Sequence, residues 1–123
     1  MIKMMLIAGA GGFAGTCCRF LVGRWCSTLF HMTFPVGTFL VNIIGCFLIG
    51  IVLGMLEKSA VMSTTMRLLL VTGFCGGFTT FSAFADELWT LGNKGEWGIT
   101  AFYLASSVIV GIFLVGLGRI LVR

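Results

Sequence analysis

Four long apolar stretches, each closed by charges or turn residues, set the pattern of this chain. Met4 to about Val22 is apolar except for Arg19. Pro35 to Leu56 carries no charge and ends at Glu57-Lys58. Leu68 to Ala85 is uncharged and gives way to Asp86-Glu87, and Trp97 to Gly118 is uncharged up to Arg119. Each is close to the ~20 residues that cross ~30 Å of hydrocarbon at ~1.5 Å per residue. The pattern predicts an all-α membrane protein, one domain over 1–123, with four transmembrane helices over about 4–25, 35–56, 67–90 and 97–119. Pro35, the sole proline, stands where a helix start tolerates it. Gly92-Asn93-Lys94-Gly95 reads as the polar turn between the third and fourth spans.

The third stretch is not uniform. Gly73 to Phe84 reads GFCGGFTTFSAF, three glycines and a run of hydroxyls inside a segment that a bilayer must enclose. Unsatisfied N–H and C=O groups are costly in hydrocarbon, so irregular or polar backbone persists there only where protein buries it or it lines a cavity. The pattern predicts that the third helix is broken near its middle, and a broken span is a candidate ion site.

Composition supports the membrane reading. The 123 residues are 59% hydrophobic and 10% charged, and the mean hydropathy is +1.12. A soluble domain carries about 25% charged residues. The net charge of +4 comes from eight Lys/Arg against four Asp/Glu. These sit at segment ends rather than on one basic face, which argues for head-group contacts and topology signals and against nucleic-acid binding. With four spans both termini share a side, which holds Lys3, Lys58, Arg67, Arg119 and Arg123. The opposite side has Arg24 and Lys94, joined by Arg19 if that residue is counted there. Five against three favours cytoplasmic termini only weakly. Copies inserting both ways would permit an antiparallel dimer.

The N-terminus imitates a secretory signal, with Lys3, a short apolar stretch and Ala8-Gly9-Ala10. That stretch is too short for an h-region of about 7–15 residues, and apolarity continues past it, so it reads as the start of the first span. Cys17, Cys18, Cys26, Cys46 and Cys75 are odd in number and lack CxxC spacing, which argues against a disulfide or metal site. Gly9-Ala10-Gly11-Gly12-Phe13-Ala14 mimics a dinucleotide fingerprint, but that motif needs a βαβ unit and an acid about 20 positions on. The first acid here is Glu57. Gly11/Gly15, Gly50/Gly54 and Gly73/Gly77 are GxxxG pairs, the spacing that lets helices approach closely in lipid. Four short helices leave little room for a pore in one subunit, so a homo-oligomer, most simply a dimer, is expected.

The polar residues inside the spans suggest the solute. No Asp or Glu lies in the middle of any apolar stretch, so no carboxylate is placed to hold a proton or an organic cation. The available groups are donors: the Asn42 amide, the Thr79, Thr80 and Ser82 hydroxyls, and the positive ring edges of Phe81 and Phe84. Phe81 and Phe84 are three apart and share a helix face, a spacing that more often serves plain packing, though the adjoining hydroxyls and helix break weigh toward an anion. Asn42 either hydrogen-bonds another helix or meets a permeating solute. Tyr103 and Ser107, four apart and continued by Gly111, form a second polar stripe that packs on a neighbour or lines an aqueous path. Arg19 either snorkels or pairs with a carboxylate near a membrane face.

With these residues in place the chain resembles the Fluc-type fluoride channels, the CrcB family. The resemblance spans nearly the whole chain: Gly11-Gly12-Phe13-Ala14-Gly15 with Arg19, Gly37-Thr38 with Asn42, and above all GxCGGxTTFSxF from Gly73 to Phe84, followed by Glu87. It implies an antiparallel, dual-topology homodimer in the bacterial plasma (inner) membrane, with two anion pores at the subunit interface. It implies passive export of fluoride, lowering the cytoplasmic concentration. Asn42, Phe81 and Phe84 would meet fluoride, with Thr80 and Ser82 nearby and Tyr103 and Ser107 as the polar track. Gly111 stands where relatives often carry serine. Backbone carbonyls of Gly76 and Thr79, from both subunits, would hold a structural Na+, and Arg19 would lie near a pore entrance or anchor the fold. The competing reading is a small multidrug-type proton-coupled exporter, which needs a carboxylate in the first span; none precedes Arg19. A structural subunit without transport is a third class. An enzyme is disfavoured, because no nucleophile–base pair or metal-ligand cluster emerges.

Overall fold

The computed structural model describes residues 1–58 and 64–123. Among the described residues, four helical spans are long and apolar enough to cross a membrane: Ile2–Leu29, Val36–Lys58, Thr64–Asn93 and Trp97–Leu121. The first, α1, and the second, α2, are continuous α-helices. The third starts with Thr64–Arg67 (α3) and continues as a π-helix over Leu68–Cys75 and a short turn, Gly76–Phe78 (α4). Thr79 and Thr80 are extended, with ψ of 157° and 123°. The chain then re-enters a helix, Phe81–Asn93 (α5), before the fourth span, Trp97–Leu121 (α6). The expected break is therefore present near the middle of the 30-residue third span. It lies at the threonines rather than at the glycines before them, which stay helical. The observed helices overrun the expected spans by a few residues, most at the end of α1.

Side-chain chemistry explains the break. The Thr80 hydroxyl accepts the Ala83 N–H at 3.2 Å and so caps α5. The Thr79 hydroxyl donates to the Cys75 carbonyl at 2.8 Å and terminates the preceding turn. In lipid these bonds replace the water that would otherwise satisfy the freed backbone. The turn into α6 is equally local: Gly95 takes φ 79°, a left-handed conformation that favours glycine.

Packing runs in two tight pairs, α1 on the π-helical segment and α2 on α6. A Cβ at Gly73 would lie 2.6 Å from the Ala8 carbonyl, and one at Gly77 2.6 Å from that of Gly12. A Cβ at Gly118 would lie 2.6 Å from the Phe47 carbonyl. No Cβ fits at such distances, so glycine is what allows backbone to touch backbone. Acyl chains solvate apolar side chains as well as protein does, so such contact drives association. The buried cluster proper is small: Phe84, Leu91 and Tyr103, flanked by Phe34, Phe39, Leu88 and Ile99. Trp25, Trp89 and Trp97 are all exposed and lie toward the end of the bundle away from the termini.

Candidate functional site at the broken helix

Breaking a helix at mid-membrane exposes two opposite partial charges. The α5 N-terminus offers free amides and a positive dipole end, whereas the end of α4 offers carbonyls and a negative one. Asn42, projecting from α2, occupies the junction. Its Nδ2 donates to the Thr80 carbonyl at 3.1 Å, and its Oδ1 accepts the Thr80 N–H at 2.9 Å. A carbonyl only accepts and an amide N–H only donates, so this pairing fixes which way the side chain points. One Nδ2 hydrogen is used, and the second remains available.

The Thr80 N–H is thus given to Asn42 rather than to the Gly76 carbonyl four residues back, and the Ala83 N–H, free of any helical acceptor at the start of α5, goes to the Thr80 hydroxyl. The Gly77 carbonyl, by contrast, accepts the Arg19 Nε–H at 3.0 Å, and that of Cys75 accepts both the amide and the hydroxyl of Thr79. Gly76 therefore presents a carbonyl oxygen whose helical donor has been diverted, and Thr79, extended and ahead of the α5 cap, presents one that lies outside either helix ladder. Neutral oxygen donors of this kind suit a hard cation such as Na+. Among the described residues no cluster of His, Cys, Asp or Glu could hold a metal ion.

One groove of about 440 Å³ collects the other candidates. Asn42, Thr80, Phe81, Phe84 and Ser107 line it, together with Gly76 and Thr79, and no charged side chain does. Phe81 is 78% exposed at its open side, while Phe84 is buried. Their ring centroids are 6.0 Å apart and tilted by 54°. The Ser107 hydroxyl is buried and has no hydrogen-bond partner among the described residues. A Cβ at Gly111 would meet Cys46 Sγ at 3.2 Å, so the thiol has taken space that a larger residue there would need.

Three sequence candidates lie outside this groove. Tyr103 is fully buried, stacks edge-on against Phe84 with centroids 5.0 Å apart, and donates its hydroxyl to Glu87 at 2.8 Å. Ser82 is exposed, with its Oγ 3.3 Å from the Thr80 hydroxyl. Arg19 lines a separate groove of about 360 Å³ with Arg24, Ser27, Thr38 and the other side of Thr80. Neither snorkelling nor a carboxylate partner accounts for its pose; the guanidinium binds backbone.

Glu87 is named in the sequence as the residue that follows the motif but receives no role at the site. It comes after the uncharged stretch that ends at Ala85, and α5, which runs to Asn93, keeps the carboxylate within the bundle. Thr38 donates to it at 2.9 Å and Tyr103 at 2.8 Å, joining α2, α5 and α6 through one carboxylate. The available signal was the spacing: Phe84 and Glu87 are three apart and share a helix face.

The broken span, the donor-lined groove and the absence of a lining charge define a small four-span membrane protein built for an ion. The family model described as CrcB-like protein, Camphor Resistance (CrcB), matches residues 6–119. The chain belongs to this family. It is 46% identical over 124 residues to a fluoride-specific ion channel FluC of Methylobacillus flagellatus, covering 100% of this chain and 96% of the relative. It is 43% identical over 119 residues to the protein of that name in Prosthecochloris aestuarii, covering 97% and 92%. It is 44% identical over 123 residues to that of Agrobacterium fabrum, covering 100% and 98%.

Proposed function

We propose that this chain is a fluoride-selective ion channel that lets fluoride leave the cytoplasm passively across the membrane. One observation carries the reading. A single uncharged groove gathers a spare Asn42 amide hydrogen, an unpartnered Ser107 hydroxyl and two phenylalanine rings beside the amide end of a broken helix. Every one of these groups is a donor or a positive ring edge toward an anion. Fluoride holds its water strongly, and oriented donors in a narrow path must replace that water. Chloride is larger, and donors spaced for fluoride do not converge on it. Passive flow suffices for export: HF diffuses in from an acidic medium, dissociates at neutral pH, and the trapped anion departs down its gradient.

The groove is open on one flank, where Phe81 projects. A second copy, inserted antiparallel, covers that flank and closes two pores at the interface. The weak Lys/Arg bias supports this arrangement. Phe81 and Phe84 present their ring edges to fluoride, with Asn42, Thr80 and Ser107 as polar contacts in the groove and Ser82 behind the Thr80 hydroxyl. Tyr103 backs Phe84 and is held by Glu87. Arg19, in the neighbouring groove with Arg24, lends positive potential to an entrance. Carbonyls of Gly76 and Thr79 from both copies would hold a structural Na+, whose charge would offset the carbonyl dipoles gathered at the break.

A fluoride electrode reading efflux from liposomes tests the proposal. Fluoride is expected to leave far faster than chloride; equal release of the two ions defeats it.

A further inference from the structure

Helices α2 and α6 end beside each other on the face that carries the termini. Gly54 lets them meet there, since a Cβ on it would lie 3.1 Å from the Arg119 Cα. This approach sets Glu57 and Lys58 next to Arg119 and Arg123 around a groove of about 480 Å³. Glu57 pairs with Arg119, its side chain 67% exposed and that of the arginine 38%. Lys58 and Arg123 are exposed and have no such partner among the described residues. The rest of the groove is apolar: Gly116, beside which a Cβ would meet open space, and the exposed Ile120.

Charge is distributed very unevenly between the two ends of the bundle. The terminal end has Lys3, Lys58, Arg67, Arg119 and Arg123 against Glu57 alone. The other end sets Arg19, Arg24 and Lys94 against Asp86, Glu87 and Glu96. The whole net charge of +4 therefore belongs to the terminal face.

We propose that the groove between the ends of α2 and α6 binds the phosphate of an anionic phospholipid, held by Lys58 and Arg123 and by the outer edge of the Arg119 guanidinium. Two cations left over after the Glu57 pairing favour a lipid whose phosphate has no head-group cation of its own to offset it, and a basic pocket between spans at the head-group level is a recognised lipid site. The apolar lane over Gly116 and Ile120 takes the first part of an acyl chain, which a free phosphate cannot use. The inference needs only the membrane-spanning fold and stands apart from the fluoride reading.

The test is native mass spectrometry of the purified full chain with phosphatidylglycerol or phosphatidylcholine of matched acyl chains. Phosphatidylglycerol is expected to be retained on the order of tenfold more than phosphatidylcholine. Lys58→Gln and Arg123→Gln should each lower that retention about fivefold, the contribution of one basic residue at an anionic surface. Both side chains are exposed, and elution as for the parent protein checks the fold. Lys3→Gln, on the same face but outside the groove, should retain the lipid fully. Equal retention of the two lipids, full retention by the doubly substituted protein, or an equal loss in Lys3→Gln overturns the site. Displacement of the lipid by excess inorganic phosphate assigns the pocket to a free anion and overturns the lipid as its occupant.

Discussion

The Asn42 side chain and the Thr80 backbone close a ring of two hydrogen bonds, 3.1 and 2.9 Å long, at the point where the third span is broken. One side chain thereby satisfies the freed backbone of Thr80 and keeps a second amide hydrogen for the groove. Both limbs of the amide bind the Thr80 backbone, which is the helix-bonding role the sequence offered; the proposed solute contact would use the remaining Nδ2 hydrogen.

Asn42→Asp keeps the acceptor for the Thr80 N–H but turns the other limb into a charged acceptor facing a carbonyl. Thermal melting should fall by an amount on the order of 1–3 kcal/mol, and fluoride efflux should be abolished. A conducting, equally stable aspartate variant would remove the amide from the pathway.

Ser107→Ala deletes a buried hydroxyl that has no partner among the described residues. Its removal should leave stability unchanged or slightly raised, because an unsatisfied polar group is lost. Fluoride efflux should nevertheless fall about tenfold, the value of one hydrogen bond to a charged group. If melting drops while efflux stays constant, the hydroxyl is structural.

Phe81→Ile and Phe84→Ile should both suppress efflux, but for separable reasons. Phe81 is 78% exposed, so its loss should spare the melting temperature of the single subunit. Phe84 packs against Tyr103, and its replacement should also cost about 1 kcal/mol of aromatic contact. Wild-type efflux in both variants would leave the rings as packing only.

Exchanging sodium for N-methylglucamine on both sides of the vesicle tests the Gly76 and Thr79 carbonyls. Efflux should fall as the cation is removed and recover when sodium returns. Unaltered flux after exhaustive exchange would mean that these oxygens need no ion.

Much of this was legible in the residues, because lipid restricts the options. A charge-free run near twenty residues long has one use, and glycines or hydroxyls inside it must be enclosed. Four spans and the break follow from such constraints, whereas the grouping of Asn42, Phe81, Phe84 and Ser107 was implied only by the family resemblance. What stayed hidden depends on partners distant in sequence. Thr79 and Thr80 break the helix because Asn42, 38 positions away from Thr80, takes the amide. Arg19 finds a carbonyl 58 positions off, which no charge pattern reveals. Glu87 falls inside the expected third span, but nothing in the sequence reveals that Thr38 and Tyr103, from two other helices, are its donors.

The three tryptophans crowd toward one end of the bundle, so each molecule carries its ultraviolet emission on a single side of the bilayer. Iodide added outside sealed vesicles therefore acts as a compass. It dims all of the light or none if every copy points the same way, and about half if up and down are mixed.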